Sequence, residues 1–173
     1  GPFAAAIYLY YFGGDGWRPQ GSVAHGILIE NPPSLDIGSL VLPDGSSTRF
    51  TGKWSLLYVG SGSCPAACQQ VLYEVRQVRQ ALGKEMARVQ RYFIATSGTP
   101  DAQLIQAAHP DLIVIDTAVA GGDRILATLG DHSEADVFVV DPMGNIMMRF
   151  PVGTSMKDMH KDLSLLLKAS TIG

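Results

Sequence analysis

Hydrophobic positions along this chain fall into short apolar runs separated by segments of helical periodicity. Ser55 to Val59 (SLLYV) is almost wholly apolar, the pattern of a strand buried on both faces, and it stops at the flexible turn Gly60-Ser61-Gly62-Ser63. Beyond it Val71, Leu72, Val75, Val78 and Leu82 recur at helical spacing among Gln, Glu and Arg, which predicts an amphipathic helix ending at Gly83. Val89 to Ala95 predicts a second strand and Leu112 to Asp116 (LIVID) a third. Between them Thr99-Pro100-Asp101 opens a second helix, with Thr99 as capping hydroxyl, Pro100 at the first helical position and an early acid; it ends before Pro110. A short helix is expected near Arg124 to Leu129. Val137 to Val140 and Ile146 to Phe150 predict a hairpin across Asp141 to Asn145, and Lys157 to Ala169 a last helix with Met159, Leu163, Leu166 and Leu167 on one face.

Upstream, Pro43-Asp44-Gly45 is a turn sequence between Ser39–Leu42 and Ser47–Phe50, so a hairpin is expected there. Strands alternating with helices argue for a parallel core, and the late two-strand meander adds an antiparallel edge. The order predicts an α/β chain with a thioredoxin-like fold and an added N-terminal β-hairpin, spanning residues 39–173. Residues 17–38 are rich in Gly, Pro and Ser, and Pro32-Pro33 prevents a helix, so an extended connector over the domain surface is expected. Residues 1–16 are different. Pro2 to Phe12 (PFAAAIYLYYF) carries no charge, yet it falls short of the roughly 20 apolar residues that cross a bilayer as a helix. Tyr8, Tyr10, Tyr11 and Trp17 are aromatics of the kind that gather at the headgroup level. The segment is expected to be the remnant of an N-terminal membrane anchor, with a strand or helix packed on the domain as the alternative.

Composition narrows the function classes. With 173 residues, 46% hydrophobic and 17% charged, the chain has the make-up of one globular domain with a short appendage. Its net charge of −3 and pI near 5.7 give no basic excess for nucleic acid. Only two cysteines occur, which excludes a scaffold of several disulfides and a four-cysteine zinc site.

The candidate chemistry sits in Cys64-Pro65-Ala66-Ala67-Cys68, between the first buried strand and the first long helix. A thiol at a helix start meets unpaired backbone N–H groups and the positive end of the helix dipole, both of which favour thiolate. If the helix runs through this segment, residues i and i+4 share a face roughly 5 to 6 Å apart, within disulfide range. The pair then closes a disulfide or grips a soft metal; a plain structural disulfide and two inert buried thiols are the bland readings. Two thiolates suit Cu(I), and an imidazole as third ligand lets Cu(II) bind as well. Of His25, His109, His132 and His160, only His132 lies in the loop Gly130 to Asp136, which this topology brings toward the thiols. His109 and His160 are expected to be solvent-exposed, and His25 falls in the connector. Met143 belongs to a hairpin tip at the far end of its strand, and Met147 and Met148 are expected to fill the core.

These residues carry a resemblance. Phe50-Thr51-Gly52-Lys53-Trp54, the apolar strand, the Cys-Pro-x-x-Cys turn, Asp131-His132-Ser133 and Asp141-Pro142-x-Gly144 resemble the SCO/SenC family, and Gly144 to Pro151 resembles a divergent proteobacterial branch of it. The match runs from about Leu40 to Phe150. The resemblance implies a thioredoxin-fold, membrane-anchored protein that handles copper for assembly of the Cu(A) centre of cytochrome c oxidase, or acts on thiols. It further implies copper held by Cys64 and Cys68 with His132 as third ligand, and partners among cytochrome c oxidase subunits or assembly factors. The domain would face the periplasm from the inner membrane. This chain has Ala66 where the family usually has an acidic residue, Gln69 where a proline follows the second cysteine, and a histidine one residue farther from the Asp-Pro turn. The competing readings are a thiol-disulfide oxidoreductase, in which Cys64 attacks and Cys68 resolves, and a non-catalytic interaction module.

Overall fold

The computed structural model describes residues 26–170, apart from Pro43 and Ala120. The expected anchor remnant at residues 1–16, the first part of the expected connector, and His25 lie outside the described residues. Everything described is arranged around β4 (Trp54–Gly60), a strand with all seven residues buried. It pairs in parallel with β5 (Val89–Ala95), which pairs in parallel with β6 (Leu112–Asp116). On its other side it pairs antiparallel with β7 (Asp136–Val140), which continues into β8 (Ile146–Phe150). A short β1 (Ile27–Leu28) closes that edge, giving the order β1-β8-β7-β4-β5-β6. A separate hairpin of β2 (Leu40–Val41) and β3 (Ser47–Thr48) is the expected N-terminal addition.

Side chains on a strand alternate between faces, and β4 uses both. Trp54, Leu56 and Tyr58 pack with Leu72, Val75 and Val78 of α1 (Ala66–Gln80) and with Met159 and Leu163 of α4 (Met156–Ala169). Leu57 and Val59 face the opposite layer, with Ile125 and Leu129 of α3 (Gly122–Leu129) and with Phe50 beside the N-terminal hairpin. Each such leucine or valine, fully buried, contributes roughly 1.5–3 kcal/mol. A run with no polar interruption is therefore what a two-layered cover demands, and the lone Ser55 lies within hydrogen-bonding distance of the Gln90 amide at 3.2 Å. The fold is thioredoxin-like α/β, as the element order predicts.

Three local differences have physical causes. The segment after residue 25 carries a strand that the sequence pattern does not announce: Ile27 pairs with Arg149 and Leu28 with Met148. Two residues are too few to display an alternation. Leu35, farther along, is only 1% exposed and belongs to the core. Second, α2 (Ala102–Ala108) starts two residues later than its sequence suggests. Its cap is the Asp101 carboxylate, which accepts the Leu104 N–H at 3.1 Å, so Thr99 and Pro100 stand before the helix. Third, α1 begins at Ala66, which leaves Cys64 outside it.

The cap assignment is directly testable. Asp101→Ala should destabilise the protein by about 1 kcal/mol, the usual cost of losing an N-cap, whereas Thr99→Ala should change stability little; urea unfolding of both variants distinguishes the two.

Candidate redox and metal site

The site begins where β4 ends. The Gly60 carbonyl accepts the Thr96 N–H at 2.9 Å, the Gly62 N–H donates to the Ser97 carbonyl at 2.7 Å, and the Cys64 N–H closes a turn onto the Ser61 carbonyl at 3.1 Å. The turn is thus stitched to the chain leaving the neighbouring strand β5. It must also be thin, since a Cβ on Gly62 would lie 2.9 Å from the Ser97 carbonyl oxygen and 3.0 Å from the Pro100 nitrogen. Cys64 takes a left-handed backbone conformation (φ 43°), which bulky residues adopt only under constraint. Pro65 then caps α1 without any side-chain hydrogen bond. The opening N–H groups of a helix have no partner within it, and here they gather at the turn that carries Cys64.

Cys64 and Cys68 are joined in a disulfide with a Cα separation of 5.0 Å. The bond therefore links a turn residue to a first-turn helical residue, rather than two residues of one helix face. Cys64 is 7% exposed and Cys68 2%. Pro65, Ala66 and Ala67 between them are exposed and uncharged, so a partner meets a small neutral rim above the sulfurs.

The loop before β7 does approach this turn, as the topology requires. Val59 pairs with Asp136, the Ala135 N–H reaches the Val59 carbonyl at 3.0 Å, and the Glu134 carboxylate accepts the Ser61 N–H at 2.5 Å. Glu134 is the residue by which the loop holds the cysteine turn. Together with burial, which is the larger cause, it pushes the Tyr58 hydroxyl up to about 12. The strand register carried the signal for Glu134: once β7 starts opposite Val59, the residue two places earlier falls beside Ser61. His132 is exposed, and its Nδ1–H donates to the Gly130 carbonyl at 3.0 Å. Among the described residues no three His, Cys, Asp or Glu side chains are grouped to hold a metal ion. The structure brings Cys64 and Cys68 together and does not add His132 to them.

Behind the disulfide, Gln69 connects to a residue expected on the surface. His109 is 5% exposed, and its Nε2–H donates to Gln69 Oε1 at 2.8 Å. The sequence places it at a helix end before a proline, which suggests exposure; the return of the chain under α1 buries it instead. His109 Nδ1 has no hydrogen-bond partner among the described residues. Burial first, then the Arg91 and Arg76 guanidiniums, lower its pKa. Arg91 itself is 2% exposed, and burial followed by the charges of Arg79 and Arg76 pushes it down to about 10. His160 is half-buried, within reach of the Ala81 carbonyl at 3.2 Å. Met147 and Met148 are fully buried, as expected of core fillers.

Two outcomes are expected. Gly62→Ala should cost about 1–3 kcal/mol by overpacking against backbone and should slow closure of the disulfide, measured by urea unfolding and by reoxidation kinetics. A histidine held neutral in the fold binds its proton more readily when unfolded, so stability is retained above the unfolded value near 6.5 and declines as pH falls below it. His109→Asn should remove that part of the acid-side decline, seen as a smaller loss of stability between pH 7 and pH 5 than in the parent.

Comparison with known proteins agrees with this geometry. No curated protein matches the chain in sequence. The solution structure of apo Sco1 from Thermus thermophilus superposes with a TM-score of 0.62 at 20% identity, covering 87% of this chain and 98% of that one. Copper-bound ScoI from Bradyrhizobium japonicum gives 0.59 at 21% identity, over 80% of this chain and 99% of that one. A thiol:disulfide interchange protein from Chlorobium tepidum gives 0.55 at 17%, over 79% and 99%. At these identities the likeness concerns the fold. A family model described as the transmembrane-like, thioredoxin-like C-terminal domain matches residues 54–170, from the first residue of β4 to Ser170, the residue that follows α4, and the chain belongs to that family.

Proposed function

We propose that this is an SCO-like thiol-redox and copper-binding protein that assists assembly of the Cu(A) centre of cytochrome c oxidase, tethered to the inner membrane with its domain in the periplasm. The observation that carries the reading is the Cys64–Cys68 pair itself: two sulfurs close enough to bond, at the mouth of a helix, beside the end of the central strand. Such a pair has two states. Closed, it is a disulfide suited to an oxidising compartment. Opened by two electrons and two protons, it is a dithiol whose thiolates are soft donors for Cu(I) carried as cargo. The fold neighbours support both uses, because they include Sco proteins solved with copper bound and thiol-disulfide interchange proteins.

A second reading, thiol-disulfide exchange alone, is favoured by the separate position of His132. In that reaction the Cys64 thiolate attacks a partner disulfide and forms a mixed disulfide, releasing one partner thiolate. The Cys68 thiolate then displaces the second partner sulfur, closing the Cys64–Cys68 bond and leaving the partner as a dithiol. The reduced protein is expected to retain Cu(I) against a competing chelator. Cys64→Ser or Cys68→Ser should abolish that binding, and His132→Ala should weaken Cu(II) binding while leaving Cu(I) in place. Loss of Cu(I) to the chelator, together with rapid reduction of a disulfide substrate, would move the exchange reading ahead.

A further inference from the structure

A groove of about 940 Å³ lies between the turn after α1 and helix α4, lined in part by Leu82 and by Leu165, which is exposed. Its rim holds Lys84, Lys157, Lys161 and Lys168, four of the five lysines in the whole chain. In a protein of net charge −3 this is a marked concentration. Among the described residues none of the four makes an ion pair, while Arg88 nearby is engaged by Glu85 at 3.0 Å. A lysine row on a helix is most often a solvated face. Here a second observation bears on it. The Gly26 N–H donates to Asp162 Oδ2 at 2.7 Å, and Asp162 lines the same groove. The described chain therefore begins, at Gly26, beside this groove, on the side of the sequence that carries the uncharged, aromatic run Pro2 to Phe12. Residues 13–25 intervene, and 13 residues span at most about 45 Å.

We infer that the lysine-lined groove seats the headgroups of anionic phospholipids in the membrane that the N-terminal segment enters. Lysine suits this role: each ammonium is a compact charge on a flexible stem that follows mobile phosphates without demanding a fixed fork geometry. Leu82 and Leu165 offer contact for the glycerol and upper acyl region. The inference rests on the membrane-tether reading, and its test separates the two.

Full-length protein is mixed with vesicles of phosphatidylcholine alone and of phosphatidylcholine with phosphatidylglycerol, at low and at physiological salt. A basic residue near an anionic surface is worth roughly fivefold in partitioning, so the parent should prefer the anionic vesicles by about a hundredfold or more at low salt, and less as salt screens the surface. The variant Lys84→Glu/Lys157→Glu/Lys161→Glu/Lys168→Glu should lose that preference while keeping whatever binding it shows to neutral vesicles. The corresponding Lys→Gln set gives the same reading should the acidic set fail to fold. The gain on anionic over neutral lipid decides the groove, and binding to neutral lipid decides the tether, so either can fail alone. Equal preference in parent and variants overturns the inference. So does displacement of the parent by inorganic phosphate far beyond that caused by chloride at the same ionic strength, which would mark a site for free phosphate.

Discussion

The structure depends on burying β4 from both sides. A strand covered on both faces admits no regular polar position: all seven residues from Trp54 to Gly60 are buried, and the serine among them, Ser55, is met by the Gln90 amide. That requirement fixes which elements cover it: α1 and α4 on one face, α3 and the N-terminal hairpin on the other. It also fixes where the chain is free to do chemistry. A strand buried along its length exposes functional groups only at its end, and the end of β4 is the turn that delivers Cys64 and Cys68.

That turn is held from three directions. The chain leaving β5 grips Gly62, the loop before β7 grips Ser61 through Glu134, and α1 receives Cys68 in its first turn. The left-handed conformation of Cys64 is maintained by this surrounding structure rather than by local preference. Fixing the turn so firmly keeps two sulfurs in bonding range while the rim above them stays small and uncharged. The same loop that supplies Glu134 carries His132, which is exposed and hydrogen-bonded to the Gly130 carbonyl, so the redox pair and this histidine are separately supported.

Much of this was legible in the sequence, for physical reasons that differ by element. The limits of β5, β6 and β8 follow from apolar runs bounded by polar or turn residues, and the helix faces of α1 and α4 follow from their spacing. The cysteine turn was legible because it lies between two strongly patterned elements. β1 was not, because a two-residue edge strand has no period to read. His109 was not, because its burial comes from the return of the chain beneath Gln69, a tertiary effect with no local mark. Glu134 required the register of β7 against β4, which follows only after the sheet order is known. Asp101 replaced Thr99 as cap because the carboxylate, not the hydroxyl, reaches the Leu104 N–H.

The central claim is that the Cys64–Cys68 turn is a working dithiol activated by its place at a helix start. The most direct measurement is the rate and position of alkylation of the reduced protein at neutral pH, read by mass spectrometry of short reaction times. Cys64, outside the helix and the more accessible of the two, should be modified first and much faster than a small free thiol. Alkylation of both cysteines at equal rates, no faster than that of the free thiol, would contradict the account.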